Sequence, residues 1–226
     1  MKAKSALGLL LGAALICGGC PTGDPLVEGP PRVRITTSMG ELLIELDEEL
    51  APNTVQNFLQ YVDEGFYDNT VFHRVIHWFI VQGGGYVSGL EAKPTHDPIA
   101  SEANNGLLNL RGTVGMARTD DANSATSQFY INVADNPAFN LSATSPGYTV
   151  FGRVIEGMSV VDQIAAVPTE TRGNYADVPV EDVVILSAKS EPRERVLTPN
   201  WQTYLEGVQS ALRDVVVQVL GQLISG

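Results

Sequence analysis

Apolar and polar residues alternate along much of the chain, most regularly near the start of its central part. In residues 32–47 the alternation runs on both sides of a Ser-Met-Gly segment that is typical of a turn. The apolar positions are Val33, Ile35, Leu42, Ile44 and Leu46. Because successive side chains of a strand point to opposite faces, this period of two predicts a β-hairpin with one buried face.

Two helical segments and several further strands follow the hairpin. Apolar residues recur at helical spacing between Pro52 and Gly65, and a second helix is predicted over 158–165. Strands are predicted around residues 70–76, 79–82, 112–117, 128–133, 149–154 and 180–188. About eight mostly antiparallel strands with two helices predict a mainly β fold, a closed eight-stranded antiparallel barrel capped by two helices.

The N-terminal segment has a different composition. Residues 1–19 combine two lysines with an apolar run over 6–16, which is shorter than the roughly 20 residues of a membrane-spanning helix and predicts a signal peptide. The segment leads into Cys20 through a run that resembles a bacterial lipobox, so Cys20 is the predicted site of lipid attachment. Residues 20–31, rich in proline and glycine, then predict a semi-extended tether.

Charge and cysteine content narrow the classes of partner. The chain has 14 basic and 26 acidic residues, a formal net charge of −12. Cleavage before Cys20 would remove two lysines and no acid, leaving about −14. This balance disfavours nucleic acid as a partner, because surfaces that bind nucleic acid are basic. Cys17 and Cys20 are the only cysteines, so no disulfide framework is predicted.

Residues 191–226 predict a C-terminal helical extension. An apolar stripe at alternating spacings of four and three runs along it, and Thr198 and Pro199 suit the start of a helix. The stripe consists of Trp201, Leu205, Val208, Leu212, Val215 and Val219. This amphipathic helix is predicted either to pack on the barrel or to associate with a second copy, because the spacing averages near 3.5 residues. Membrane contact is disfavoured, since the helix has no basic face.

Arg74 is the main candidate for chemistry. It lies among aromatic and branched apolar residues in the segment TVFHRVIHWFIVQGGG, residues 70–85. On a continuous strand, Phe72, Arg74 and Ile76 would share one side, which places a guanidinium on an apolar surface. A buried arginine is costly to desolvate unless it is paired, whereas one that lines a groove keeps its five N–H donors for a ligand. The pattern therefore predicts an arginine that faces substrate.

Six separated segments, in the same order, resemble their counterparts in cyclophilins, the peptidyl-prolyl cis-trans isomerases, and especially in bacterial periplasmic members. They are FHRVI, QGGG, GTVGMAR, SQFYINVAD, YTVFGRV and VVILSAK, and the resemblance covers residues 32–190. It implies a cyclophilin-like isomerase domain that catalyses rotation about Xaa-Pro bonds, with no cofactor and no metal. Proline-containing polypeptides are the partners that it implies.

The resemblance also implies roles for individual residues. Arg74 matches the family's catalytic arginine. Gln82 and Gln128 match glutamines that orient this arginine and contact the peptide, and Ala117 matches an alanine that lines the groove. The implied proline pocket consists of Phe79, Ile80, Tyr130 and Leu141, with Phe139 at its rim.

Several positions depart from the family pattern. Phe139 stands where many eukaryotic members have tryptophan, which disfavours tight cyclosporin binding, and Tyr130 replaces the usual phenylalanine of the pocket. His77 and Trp78 replace a common proline-glycine pair and predict either an added aromatic contact beside the groove or a reshaped loop. Residues 140–148 contain no clear match to the family's groove histidine.

These features together predict an exported, lipid-anchored prolyl isomerase that accelerates the folding or remodelling of envelope proteins. Pro21 follows Cys20, where an aspartate would favour the inner membrane, so an outer-membrane lipoprotein facing the periplasm is predicted. Two alternatives remain open. One is a proline-peptide binding module or holdase chaperone with little or no turnover, and the other is an assembly protein that acts through its terminal helix.

Overall fold

A computed structural model describes residues 24–224 of the chain, with side chains for all of them except residues 199, 215, 219 and 221–224. The predicted signal peptide, Cys20 and the start of the tether lie outside the described residues. Residues 30–193 form one unit, and the two ends of the chain form another.

Within residues 24–224, short strands alternate with three helices along the chain. In chain order the strands are β1 Leu26–Glu28, β2 Arg32–Thr37, β3 Gly40–Leu46, β4 Thr70–Val71, β5 Arg74–Ile76, β6 Ile80–Gly83, β7 Tyr86–Val87, β8 Glu91–Ala92, β9 Thr113–Met116, β10 Phe129–Asn132, β11 Val150–Glu156, β12 Thr169–Arg172, β13 Tyr175–Pro179, β14 Val184–Ser190 and β15 Arg195–Leu197. The helices are α1 Pro52–Asp63, α2 Met158–Ala165 and α3 Pro199–Ile224, and a 3-10 turn lies at Pro137–Phe139.

The predicted hairpin and the first two helices are confirmed. β2 and β3 pair along their length and end in the opposed pair Thr37 and Gly40, so a two-residue turn joins them. α1 begins at the predicted proline, Pro52, and the chain after its end passes through Gly65 at a φ of 65°, which glycine adopts without steric cost. α2 has the predicted bounds.

Eleven strands of the larger unit form one antiparallel sheet in the order β5-β6-β10-β9-β11-β3-β2-β14-β4-β7-β8. Among the described residues, the end strands β5 and β8 are not paired with each other, so the sheet curls around the core without closing. The prediction of a closed eight-stranded barrel is therefore wrong, whereas the mainly β, antiparallel architecture is confirmed. β12 and β13 pair separately from this sheet.

The strand predicted over residues 70–76 is interrupted, and its two parts pair in different regions of the sheet. β4 pairs with β14 and β7, whereas β5 pairs with β6 at the other end of the sheet. Phe72 and Val75 both lie in the core although they are three residues apart, which a continuous strand with a period of two does not allow. Phe72 therefore does not share a side with Arg74, contrary to the prediction.

The core of the larger unit lies between the inner face of the sheet and the helices α1 and α2. Its centre is a group of rings around Phe58 of α1, whose centroid is 5.2 Å from that of Tyr67, 5.5 Å from Phe129 and 5.1 Å from Phe151. Aromatic rings bury large apolar areas and prefer such tilted or edge-on contacts. This packing fixes β10, the strand that carries residues of the candidate site on its other face.

The second unit consists of the two chain ends. β1 pairs antiparallel with β15, so part of the segment predicted as a tether is a hydrogen-bonded strand. The predicted C-terminal helix is present as α3, and Thr198 Oγ1 accepts a hydrogen bond of 3.4 Å from the backbone N–H of Trp201 in its first turn. Within residues 24–224, no helix combines the length and the apolar character of a membrane-spanning segment.

Candidate functional site

Four neighbouring strands carry a row of residues on the sheet face opposite the core. The register places Arg74 of β5 opposite Gln82 of β6. Gln82 is in turn opposite Tyr130 of β10, which is opposite Gly115 of β9. The adjacent row, which is buried in the core, consists of Val75, Val81, Ile131 and Val114. Because neighbouring residues of a strand point to opposite faces, the first row points away from the core.

A chain of side-chain hydrogen bonds orients Arg74. Its Nη1 donates to Gln82 Oε1 at 3.3 Å, and Gln82 Nε2 donates to Gln128 Oε1 at 3.0 Å. Arg74 is partly buried, and no carboxylate of residues 24–224 lies within ion-pair distance of it. A guanidinium has five N–H donors, so most of them remain available to a ligand.

Four aromatic rings form an apolar wall next to this row. The centroid of the Phe139 ring lies 5.0 Å from that of Phe79, 5.4 Å from Tyr130 and 4.6 Å from Tyr148. Tyr130 is buried, whereas the other three rings are partly exposed. Ile80, also buried, lies two residues before Gln82 on the same face of β6. A buried floor with partly exposed rings around it is suited to hold a small apolar ring.

The hydroxyl of Tyr130 is bonded within a polar network away from the wall. Its Oη donates to Asn109 Oδ1 at 2.7 Å, and Asn132 Nδ2 donates to the same oxygen at 3.2 Å. Asn109 Nδ2 donates to Asn140 Oδ1 at 3.1 Å. Burial raises the pKa of Tyr130 above its ordinary value, so the hydroxyl stays protonated and keeps donating. The atom that distinguishes Tyr130 from phenylalanine is therefore satisfied by the protein itself.

Two glycines provide the space that these side chains occupy. A Cβ atom on Gly115 would lie 2.2 Å from Tyr130 Cζ and 2.3 Å from its Oη, so the tyrosine ring can cross β9 only at a glycine. A Cβ atom on Gly85 would lie 2.5 Å from Gln128 Cγ. The sequence analysis did not identify Gly115 as a site residue, although it lies within the segment GTVGMAR.

His73 lies directly before Arg74 and is buried on the other side of the chain. Its ring centroid is 4.6 Å from that of Tyr86, and its Nδ1 has no hydrogen-bond partner among the described residues. Burial, aided by the nearby charge of Arg74, lowers the pKa of His73 to about 4, so the imidazole is neutral at pH 7. A neutral imidazole adds no charge that would compete with Arg74 for a ligand.

The structure brings most of the remaining predicted site residues to this groove. The backbone N–H of Ala117 donates to the carbonyl of Gln128 at 2.9 Å, so Ala117 lies beside the glutamine, partly exposed. Leu141 is the exception, because it is 50% exposed on the loop that follows Asn140. Tyr148, at the far end of this loop, contributes to the aromatic wall instead.

Tyr148 is a further candidate site residue that was not predicted from the sequence. The guanidinium carbon of Arg118 lies 4.2 Å from the centroid of the Tyr148 ring, and Arg118 Nη2 donates to the carbonyl of Gly147 at 2.9 Å. This contact fixes the ring beside Phe139. The available signal was the position of Tyr148 at the start of the segment YTVFGRV, but an irregular loop separates it from Phe139 in the sequence.

The fold and the site together define a class of protein, a curled antiparallel sheet whose outer face carries an aromatic wall beside an oriented cation. The family model of cyclophilin-type peptidyl-prolyl cis-trans isomerase/CLD matches residues 32–190. Peptidyl-prolyl cis-trans isomerase A of Dickeya dadantii is 52% identical over 157 residues, which are 70% of this chain and 83% of that protein. Peptidyl-prolyl cis-trans isomerase B of Escherichia coli is 52% identical over 158 residues, 69% of this chain and 96% of that protein.

Two solved structures of a cyclophilin-type isomerase also resemble the chain. The crystal structure of a cyclophilin-type peptidyl-prolyl cis-trans isomerase of Cryptosporidium parvum aligns with a TM-score of 0.61 at 26% identity, covering 74% of this chain and 100% of that chain. A structure of that protein in the presence of the dipeptide Ala-Pro aligns with a TM-score of 0.60 at 27% identity, covering 71% and 99% of the two chains. The chain belongs to the cyclophilin family and is a peptidyl-prolyl cis-trans isomerase.

Proposed function

We propose that Arg74 accelerates isomerisation by stabilising the Xaa-Pro amide in its twisted form. Rotation about this bond breaks only the amide resonance, against a barrier of roughly 18–20 kcal/mol, and needs no covalent step. In the twisted amide the proline nitrogen regains its lone pair and accepts a hydrogen bond. A donor placed at that nitrogen binds the twisted form better than either planar form, which is the condition for catalysis.

The aromatic wall has the second role in this proposal, because it holds the proline ring. Phe79, Tyr130 and Phe139 contact the ring, Ile80 adds to the buried floor, and Tyr148 takes the place that was predicted for Leu141. Support comes from the contacts between the rings and from the similar Cryptosporidium parvum protein whose structure was determined in the presence of the dipeptide Ala-Pro. Water is excluded from the amide by these rings, which strengthens the electrostatic effect of the guanidinium.

Gln82, Gln128 and Ala117 have supporting roles. Gln82 orients Arg74 through the hydrogen bond at Nη1, and Gln128 fixes Gln82 in turn. Ala117, which follows β9 and is partly exposed beside Gln128, lines the groove where the substrate backbone passes. The substrates are proline-containing segments of polypeptides.

The observation that carries this mechanism is the oriented Arg74 guanidinium with no carboxylate partner among the described residues. A charge-assisted hydrogen bond contributes about 1.5–3 kcal/mol net, which corresponds to a rate factor of roughly ten to a hundred. Arg74→Ala is therefore expected to lower kcat/KM for an Xaa-Pro peptide by about this factor, measured by NMR exchange. Binding of the peptide should remain, because the aromatic wall is intact.

Arg153→Ala is the matched control. Arg153 is an exposed arginine that forms an ion pair with Glu45, and its loss should leave the exchange rate unchanged. If the chain binds the peptide without accelerating exchange, and Arg74→Ala changes nothing, the alternative of a proline-peptide binding module or holdase replaces this mechanism.

We propose further that the chain is exported and anchored by a lipid on Cys20, and that it acts on proteins of the bacterial envelope. The support is the basic and apolar segment before Cys20 and the position of Pro21, which favours the outer membrane facing the periplasm. Cells given labelled palmitate should label the wild-type chain but not Cys20→Ser. Cys17→Leu, which restores the residue preferred by such signals, should keep the label, and labelling of Cys20→Ser would contradict the proposal.

We propose finally that α3 mediates self-association. Leu205 and Leu212, seven residues apart, are 38% and 37% exposed, and the apolar stripe to which they belong has coiled-coil spacing. Light scattering should give a larger mass for the chain with residues 193–226 than for the chain without them, beyond the mass of the segment itself. Monomers in both cases would favour packing of α3 on its own chain.

A further inference from the structure

Trp78 occupies an unusual position in the turn between β5 and β6. Its side chain is 72% exposed, and its backbone has a φ of 59°. This left-handed conformation is rare for a bulky residue and is adopted without steric cost by glycine. Local strain and an exposed indole both oppose folding, so stability does not explain a tryptophan here. Such combinations are typical of residues that contact a partner.

Trp78 forms one side of a groove on the surface of the larger unit. Its apolar lining includes Trp78, Val133 and Ala165, and its polar lining includes Arg111, Asp135 and Asp162. His77 Nδ1 donates to the carbonyl of Ala165 at 3.0 Å, which fixes the turn against α2. We refer to these residues as the Trp78 groove.

The Trp78 groove carries an excess of negative charge. Arg111 forms two hydrogen bonds to the carboxylate of Asp162, at 2.9 and 2.8 Å, so these two charges neutralise each other. Among the described residues, the carboxylate of Asp135 accepts a hydrogen bond only from a neutral donor, the backbone N–H of Arg111, at 2.8 Å. One uncompensated carboxylate therefore lies near the exposed indole, and a cation is attracted by both.

The groove lies next to the proposed proline pocket. Trp78 precedes Phe79, whose ring belongs to the aromatic wall of that pocket. The carbonyl of Phe79 accepts a hydrogen bond of 2.9 Å from the backbone N–H of Val133, a residue of the groove. The two sites are therefore neighbours through Trp78–Phe79 and Val133, and an extended chain that advances about 3.3–3.6 Å per residue passes from one to the other within a few residues.

We propose that the Trp78 groove binds the substrate chain beside its proline and selects an aromatic or aliphatic residue accompanied by lysine or arginine. The apolar residue packs on the indole, and the basic residue approaches Asp135. This inference rests on the function proposed above, because it assumes that the proline occupies the pocket lined by Phe79. It extends that function by stating which sequences around proline are preferred.

The test compares two peptides that share an Ala-Pro centre. One carries phenylalanine and lysine a few residues from the proline, placed in turn on either side, and the other carries serine and glutamate there. The wild-type chain should have a higher kcat/KM for the first peptide. Trp78→Gly, which removes the strain along with the indole, should reduce the ratio of the two kcat/KM values by about three- to tenfold. An unchanged ratio in Trp78→Gly would overturn the proposal.

Two further variants make the result specific. Asp135→Asn keeps an oxygen that can accept from Arg111 but removes the charge, so it should reduce the preference for lysine and retain the preference for phenylalanine. Trp201→Phe changes the other tryptophan of the chain and should leave the ratio unchanged. It also leaves Trp78 as the sole indole, whose emission should shift to shorter wavelength when the phenylalanine peptide binds.

Failure of this inference can be distinguished from failure of the proposed mechanism. Arg74→Ala should lower kcat/KM for both peptides by the factor given above and keep the difference between their dissociation constants, since it leaves the Trp78 groove intact. A shift in Trp78 emission with protein concentration and no peptide, together with a doubled mass in sedimentation, would identify a second copy as the occupant and overturn the proposal. Equal dissociation constants for the two peptides would overturn it as well.

Discussion

Among the described residues, the side-chain hydrogen bond that orients the Arg74 guanidinium is the one to the amide of Gln82. Arg74 Nη1 bonds to Gln82 Oε1, a neutral acceptor that orients the guanidinium without neutralising its charge. A carboxylate in place of the amide would hold the guanidinium more strongly and reduce its attraction for a substrate atom. The glutamine is therefore suited to position a catalytic arginine rather than to pair with it.

Substitution of Gln82 tests this positioning role. Gln82→Ala removes one hydrogen bond to Arg74, so kcat is expected to fall by about two- to tenfold with a smaller change in KM. Steady-state kinetics on an Xaa-Pro peptide measure the two constants. In an Arg74→Ala background the same substitution should have little further effect, because the two residues act as a unit. Gln56→Ala, at an exposed position of α1, is the matched control and should change neither constant.

His73 makes the stability of the larger unit depend on pH. Its pKa is about 4 in the folded protein and about 6.5 in an unfolded chain, so between these values the unfolded state binds a proton that the folded state does not. The free energy of unfolding should therefore fall as the pH is lowered from about 6.5 to about 4, by up to about 3 kcal/mol from this residue, and level off below. Chemical denaturation at half-unit pH steps measures this slope.

The contribution of His73 is isolated by comparison of two variants. His73→Gln should lose the part of the slope that belongs to the buried imidazole. His77→Gln, which replaces an exposed histidine, should keep it. Arg74, Tyr86 and Gln128 surround His73 and remain in both variants. An identical slope in wild type and His73→Gln would show that the buried imidazole is not its source.

At the scale of elements, the packing of β9 on β10 depends on Gly115, whose lack of a side chain leaves room for the ring of Tyr130. Gly115→Ala would place a Cβ atom 2.2 Å from the ring of Tyr130, so the ring must move and the pocket floor with it. We expect a loss of about 1–3 kcal/mol in the free energy of unfolding, together with a lower kcat/KM of the folded protein. Thermal unfolding and NMR exchange measure the two effects.

Gly152→Ala is the matched control for Gly115→Ala. On β11, a Cβ atom at Gly152 would lie 2.7 Å from the carbonyl oxygen of Glu45 and would crowd Leu46, which is in the core. This variant should also lose stability but retain kcat/KM in the folded state. Equal losses of kcat/KM in both variants would contradict a specific role for Gly115 beneath Tyr130.

Elements with a local cause were predictable from the sequence, and elements that depend on distant residues were not. The β2–β3 hairpin follows from a period of two on both sides of a short turn, and α1 follows from its apolar spacing and its proline. The N-terminus of α1, however, is capped by Glu102, whose carboxylate accepts from the backbone N–H groups of Asn53 and Thr54 at 3.0 and 2.8 Å. Nothing in the helix sequence indicates this partner.

The wrong or missing predictions also concern features that depend on distant residues. The alternation over 70–76 continues through Phe72, and only the packing of Phe72 and Val75 into the same core reveals the break between β4 and β5. In the site, strand register brings Arg74, Gln82 and Tyr130 together. Arg74 was predicted from its apolar surroundings, whereas Gln82 and Tyr130 were identified by resemblance. Tyr148 was missed because residues 140–148 have no periodicity that fixes an alignment across them.

At the scale of the whole molecule, the catalytic features and the terminal features belong to separate units. The site residues and every residue of the hydrophobic core cluster that the structure describes lie within residues 30–193. The chain ends contribute β1, β15 and α3 to the other unit. The proposed anchoring and self-association would therefore determine the location of the enzyme and leave the chemistry of its groove unchanged.

This division predicts that a chain shortened to residues 30–193 folds and is active. A unit with its own core is expected to fold alone, so its kcat/KM for a short Xaa-Pro peptide should lie within about twofold of that of the chain from residue 21 to residue 226. Circular dichroism and NMR exchange on the two chains check folding and activity. When the shortened chain and a lipidated chain are compared in the presence of membrane vesicles, they should differ only in the amount of enzyme bound to the vesicles. A shortened chain that folds but loses most of its activity would instead assign a catalytic role to the chain ends.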